Sequence, residues 1–166
     1  MTVARSYVLD TNVFIEAAMR YYSFDIVPAF WQILVEQANR GRILSIDRVR
    51  DELKQGKDDL AIWSNSDFHG FFASTSEDDV IAAYRKIMAW SQGHPQFLES
   101  AKSEFASVAD GWLVSYALAR KCTVVTLEQL DPNIKRKIKI PNACQAFHVP
   151  YVDTFQMLRD LMVKLG

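Results

Sequence analysis

Tyr7-Val8-Leu9-Asp10-Thr11-Asn12-Val13-Phe14-Ile15 carries the first clear change of period in the chain. Its first three residues are a short apolar run compatible with a β-strand. Asp10-Thr11-Asn12 stops the run, and Val13, Phe14, Ala17 and Ala18 then recur at helical spacing. A strand that passes through a polar turn straight into a helix opens an α/β unit. The rest of the chain repeats the alternation. Pro28 suits a first helical turn, Phe30, Trp31, Leu34, Val35 and Ala38 form one apolar stripe, and Gly41 ends it. Ile43-Leu44 predicts a second strand. Ser45 predicts the N-cap of a helix in which Ile46, Val49 and Leu53 share a face, with Gly56 near its end.

The middle segment, 58–105, is mostly helical in pattern. It begins with Leu60, Ile62 and Trp63, and Ser76-Glu77-Asp78-Asp79 is a capping-box-like start for Val80 to Trp90, broken at Gly93-His94-Pro95. Phe71-Phe72-Ala73 is a further strand candidate that periodicity alone does not assign. From Asp110, the residues Leu113, Val114, Ala117 and Leu118 describe an amphipathic helix. Thr123-Val124-Val125-Thr126 is the clearest strand, Phe147-His148-Val149 predicts a last one, and Phe155, Leu158, Leu161, Met162 and Leu165 predict a C-terminal helix. Strands alternating with helices predict an α/β fold with a mostly parallel sheet covered on both faces. With no repeat, low-complexity tract or linker, residues 1–166 are expected to form a single domain with an extended helical middle.

Composition bounds the function. The chain has 166 residues, 49% of them hydrophobic and 23% charged, which excludes intrinsic disorder because there is ample apolar material to offset chain entropy. No apolar run approaches the ~20 residues of a membrane span. Met1 to Asp10 lacks the long apolar core of a signal peptide, so a cytoplasmic protein with no membrane partner is expected. Cys122 and Cys144 show no C-x-x-C spacing and are expected to be buried thiols. Residues 1–80 hold 8 basic and 13 acidic side chains and residues 81–166 hold 11 and 7, so a basic surface can lie beside an acidic pocket.

In an open parallel sheet the ligand crevice lies beyond the C-terminal ends of the strands. Four acids fall there: Asp10 after the first strand, Glu52 on the helix after the second, Asp110 at the start of a helix, and Glu128 after the Val124-Val125 strand. Each also has an ordinary explanation as a helix cap, a solvated ion pair, a dipole partner or a loop acid. Grouped carboxylates raise one another's pKa values unless a cation is bound, and an all-oxygen set selects Mg2+ or Mn2+ over Zn2+. His69, His94 and His148 lack ligand spacing. Metal ions held by such a set activate water for phosphodiester hydrolysis.

The opening Tyr7 to Ile15 resembles that of PIN-domain ribonucleases, which include the VapC-type toxins of bacterial toxin–antitoxin pairs. Ser45-Ile46 through Val49 to Glu52-Leu53, Asp110 with the Leu113–Ala119 helix, and Val124-Val125-Thr126-x-Glu128 are similar to the family's later acidic stations, the last of which is usually Asp. Ile138-Lys139-Ile140-Pro141-Asn142-Ala143-Cys144 resembles an uncharacterised bacterial PIN-like subgroup. The resemblance implies a Rossmann-like α/β/α sandwich and a Mg2+- or Mn2+-dependent endoribonuclease. It also implies a catalytic, metal-holding centre at Asp10, Glu52, Asp110 and Glu128.

Asn12 and Thr126 are expected to support that centre by hydrogen bonding. Lys135-Arg136-Lys137-x-Lys139, with Arg48 and Arg50, is the expected grip on RNA phosphates. A cognate antitoxin and a second copy of the chain are the further expected partners, with the middle segment as the contact. Two alternatives stand beside this reading. A haloacid-dehalogenase-type phosphatase would need Asp where this chain has Asn12. A catalytically silent PIN-like module would bind RNA or protein without cutting.

Overall fold

The computed structural model describes residues 5–166. Among them, β1 (Tyr7–Leu9), β2 (Ile43–Ile46), β3 (Phe72–Ala73), β4 (Thr123–Val125) and β5 (Tyr151–Val152) form one parallel sheet in the order β3-β2-β1-β4-β5. The helices are α1 (Thr11–Glu16), α2 (Pro28–Asn39), α3 (Asp47–Lys54), α4 (Asp59–Asn65), α5 (Asp78–Gly93), α6 (Glu99–Ser107), α7 (Asp110–Arg120), α8 (Ile140–Ala146) and α9 (Thr154–Asp160). The fold is α/β with a central parallel sheet, consistent with the PIN-like architecture. No helix among the described residues is long and apolar enough to cross a membrane. The first four residues of the Met1–Asp10 segment read above lie outside the described residues.

Strand register follows the apolar pattern. Val8 pairs with Leu44 on one side and Val124 on the other, and Leu9 pairs with Val125. Val8, Leu9, Val124 and Val125 are fully buried, as expected where both faces of a parallel sheet are covered. From β1 the chain builds outward through β2 to β3, then returns to the other side of β1 for β4 and β5. That reversal puts the topological switch point between β1 and β4, where this class of sheet opens a crevice.

Packing explains the aromatic middle of the sequence. Phe14 meets Phe68 at 5.7 Å between centroids and Trp63 at 6.0 Å; Trp63 stacks on Phe68 at 4.9 Å, and Trp31 stacks on Phe24 at 4.0 Å. Trp31 also donates its indole N–H to the Tyr22 carbonyl at 2.7 Å, so its polar edge is satisfied. On the other side of the sheet α5 lies along α7. A Cβ at Gly111, beside Asp110, would come within 2.8 Å of the Met88 methyl, the movable end of that side chain, which would have to shift to admit it. A two-pronged ion pair, Arg120 to Asp79 at 2.6 and 3.1 Å, ties the far ends of the two helices together.

Several local expectations are corrected. Ser45 is not an N-cap: it lies inside β2, fully buried, and its hydroxyl donates to the Leu9 carbonyl at 2.6 Å, while Ile46 completes the strand and α3 starts at Asp47. A tertiary hydrogen bond across the sheet has overridden the capping preference of serine. Ser76 does not cap α5, whose N-cap is Glu77 with no side-chain cap bond. Phe71 belongs to a short 3-10 turn, His69–Phe71, and only Phe72–Ala73 pairs as a strand. The last strand is Tyr151–Val152 rather than Phe147-His148-Val149. The latter residues form the exit from α8, where His148 takes φ +56. The C-terminal helix ends at Asp160, and Met162, at φ +59, turns the chain so that Leu161 still packs while Leu165 follows outside the helix.

Candidate functional site

Asp10 sits at the C-terminal end of β1, on the switch point, and is only 3% exposed. Its backbone N–H donates to the Val125 carbonyl of β4 at 3.0 Å, which fixes the residue between the two central strands. Although Asp10 is the N-cap of α1, its carboxylate makes no capping bond. It accepts instead from the Thr126 hydroxyl at 3.1 Å. The ordinary capping role is therefore not what occupies this side chain.

Glu52, in the last turn of α3, also departs from its ordinary role. Arg50 turns to Asp51, whereas Glu52 Oε1 accepts from the Thr11 hydroxyl at 2.6 Å and Oε2 from the Ala109 backbone N–H at 3.2 Å. These bonds lock α3 against the first turns of α1 and α7. Asp110, the first residue of α7, follows Ala109 and is half-buried. Glu128, in the loop after β4, accepts from the Ile140 N–H at 3.3 Å through Oε1, and its Oε2 lies 3.4 Å from Lys137 Nζ.

The four acids reach one another electrostatically. Burial, reinforced by Asp110, Glu128 and Glu52, holds the Asp10 carboxyl well above the usual carboxylate range despite the opposing hydrogen bond from Thr126. Burial and the charge of Glu128 push Asp110 up to about 7, with Glu52 and Glu104 adding to the effect and Lys137 opposing it. Burial works against the Lys137 ammonium, but Glu128, Asp110 and Glu104 outweigh it and raise its pKa.

The donor set suits a hard divalent cation: oxygens only, mutually repelling, beside Lys137. Among the described residues no group of three or more His, Cys, Asp and Glu side chains is gathered into a ready-made cage.

The supporting residues divide. Thr126 bonds Asp10 and also accepts the Glu128 N–H at 3.2 Å. Asn12 is exposed on α1, and its neighbour Thr11 is the one that reaches a carboxylate. Sequence reasoning missed Thr11, the Ala109 N–H and Glu104; the Asp-Thr pair at the strand end was the available signal for Thr11. The basic run also divides. Lys135 and Arg136 are exposed, Lys137 turns in to Glu128, and Lys139 donates to the Gln129 carbonyl at 3.2 Å. Arg48 lies over the Trp112 ring at 4.3 Å. The histidines take no part. Cys122 and Cys144 are buried and free, and burial pushes their thiols up to about 11 and about 12.

A family model described as Domain of unknown function (DUF4411) matches residues 7–165. The chain belongs to this family. The DUF4411 match spans both the β1 aspartate and the C-terminal helix, so all four acids lie inside it. No curated protein matches the chain in sequence. Among solved structures, this DUF4411 chain is similar to a chain of the crystal structure of VapBC2 from Rickettsia felis bound to a DNA fragment from their promoter. The identity is 15%, the TM-score 0.54, and the match covers 89% of this chain and 97% of that one. At this identity the likeness shows the fold.

Proposed function

We propose that this chain is a metal-dependent endoribonuclease of the PIN type, hydrolysing RNA phosphodiester bonds as the toxin of a toxin–antitoxin pair. The observation that carries the reading is Asp10: a buried carboxylate at the switch point, free of capping duty and electrostatically coupled to Asp110, Glu128 and Glu52. The fold likeness to a chain of the VapBC2 complex supports the same reading and an antitoxin partner. A cytoplasmic location and a homodimer belong to this proposal.

Asp10, Glu52, Asp110 and Glu128 would hold Mg2+ or Mn2+. When bound, such an ion supplies a water of lowered pKa and stabilises charge on the phosphate oxygens. The chain's own residues do the positioning. Thr126 fixes the Asp10 carboxylate, and Thr11 with the Ala109 N–H fixes Glu52. Lys137 holds Glu128. Lys135 and Arg136, both exposed, would meet RNA phosphates.

RNA cleavage with Mg2+ or Mn2+ tests the proposal. Asp10→Ala and Asp110→Ala are each expected to lower cleavage by about a hundredfold or more. Cleavage that survives both substitutions would remove the acids from the reaction.

A second reading rests on Glu128, whose two oxygens are already engaged by Lys137 and the Ile140 N–H. On that reading the chain is a catalytically silent module that binds RNA or protein. Calorimetric titration with Mn2+ separates the two, because heat of binding that disappears in Asp10→Ala is expected only for the nuclease.

A further inference from the structure

Beside the acidic centre, three flat groups are layered. The Tyr84 ring of α5 and the Trp112 ring of α7 stack at 3.6 Å with 3° between planes, and the Arg48 guanidinium of α3 covers the Trp112 ring at 4.3 Å. Thr75 completes the cradle. Its hydroxyl accepts from Arg48 Nε at 3.3 Å and donates to Asp47 Oδ1 at 2.8 Å, while its N–H donates to Asp47 Oδ2 at 3.1 Å. The Asp47 carboxylate is thus turned to Thr75 and to the Arg48 backbone N–H rather than to the guanidinium.

Arg48 is exposed, and among the described residues its terminal NH2 groups have neither an ion-pair partner nor a hydrogen bond. A guanidinium fixed on one face by an aromatic ring and at Nε by a hydroxyl, with its outer fork unused, has the geometry that grips a phosphate through two parallel bonds. Location adds a second argument. Arg48 and Glu52 are four residues apart on α3, about 6 Å along its axis, on the same face. Glu52 touches Ala109 and Arg48 touches Trp112, so the seam between α3 and α7 carries the acidic centre on one rung and this cation on the next.

We infer that Arg48, backed by Trp112 and Tyr84, is a phosphate subsite that holds the backbone of single-stranded RNA one helical turn from the acidic centre. The inference rests on the ribonuclease reading for the identity of the nucleic acid. A single strand is favoured because its unpaired bases can lie against the guanidinium plane while a phosphate meets the fork.

The test is fluorescence anisotropy of a short fluorescein-labelled single-stranded RNA with the whole protein in EDTA, where cleavage plays no part. Arg48→Ala is expected to weaken binding about tenfold and to reduce the salt dependence by about one counterion. Arg48→Lys is expected to weaken it nearly as much, since lysine keeps the charge but loses the fork and the stack. Trp112→Phe keeps a smaller ring and should fall between, with circular dichroism unchanged. Wild-type affinity in either Arg48 variant, or a loss seen with single-stranded DNA and not with RNA, would overturn the inference. Absence of cleavage in a separate assay with Mg2+ or Mn2+, alongside the expected binding losses, would count against the catalytic reading alone.

Discussion

Asp110→Asn isolates the physical tension at the acidic centre. Asp110 is pushed from the ordinary 3.8 to about 7, chiefly by burial and Glu128. A raised acid pKa means that the folded state keeps a proton the unfolded chain has released. This destabilises the fold progressively as pH rises from about 4, and the effect levels off above about 7. Each pH unit is worth about 1.4 kcal/mol, so the part between pH 5 and pH 8 has a ceiling of about 3 kcal/mol. Because the side chain is only half-buried and shares its titration with Asp10, about 1–2 kcal/mol is the expected loss. Asparagine cannot ionise and also relieves Asp10. Urea unfolding in EDTA at pH 5 and pH 8 should therefore show a smaller pH-dependent loss in Asp110→Asn than in wild type, by about 1–2 kcal/mol with an unchanged m-value. Equal losses in the two proteins, or a larger one in the variant, would refute the electrostatic account of the site.

Other outcomes follow from the same geometry. Lys137→Met removes the cation beside Glu128 and Asp110, so calorimetry should find Mn2+ bound about tenfold more tightly, while stability in EDTA at pH 8 falls. Thr126→Val deletes the hydrogen bond that favours ionised Asp10. Metal affinity should fall by about tenfold and recover in part with Thr126→Ser. Phe14→Ala opens a cavity among Trp63, Phe68 and the sheet, and chemical denaturation should register about 3–5 kcal/mol. Cys122 and Cys144 should resist a thiol reagent in the native protein and react once it is unfolded in urea, as their burial and raised pKa values require.

The legible parts of the chain were those where local pattern and tertiary demand agree. Tyr7–Leu9 and Thr123–Val125 are apolar, β-branched or aromatic, and fully framed by turns, so they appear where expected. Pro28 and Gly41 mark α2 because proline fits its first position and Gly41 adopts φ +75 just past its end. Placement of Asp10 and Asp110 was legible for the same reason, since each follows or opens an element with a strong pattern. Ser45 misled because its hydroxyl bonds the neighbouring strand, a contact 36 positions away that no window reveals. The helix Ile140–Ala146 was missed because the short stretch carries no long apolar stripe, yet Pro141 lies in its first turn and Asn142 takes the Lys139 N–H. Lys137 reads as one member of a basic run expected to grip RNA phosphates, whereas it turns in to Glu128. Its inward turn depends on Glu128, nine residues earlier in a loop without periodicity.

The bond from Thr126 to Asp10 joins positions 116 apart. Ribosomes add about 5–20 residues each second, so for several seconds of synthesis the emerging polypeptide carries Asp10 with neither β4 beside it nor a hydroxyl to hold it. A nascent or prematurely terminated product lacking residues 123–166 would own the first three acids but neither β4 nor Thr126 to hold Asp10. Assembly of the acidic centre is thereby postponed until β4 and Thr126 have been synthesised.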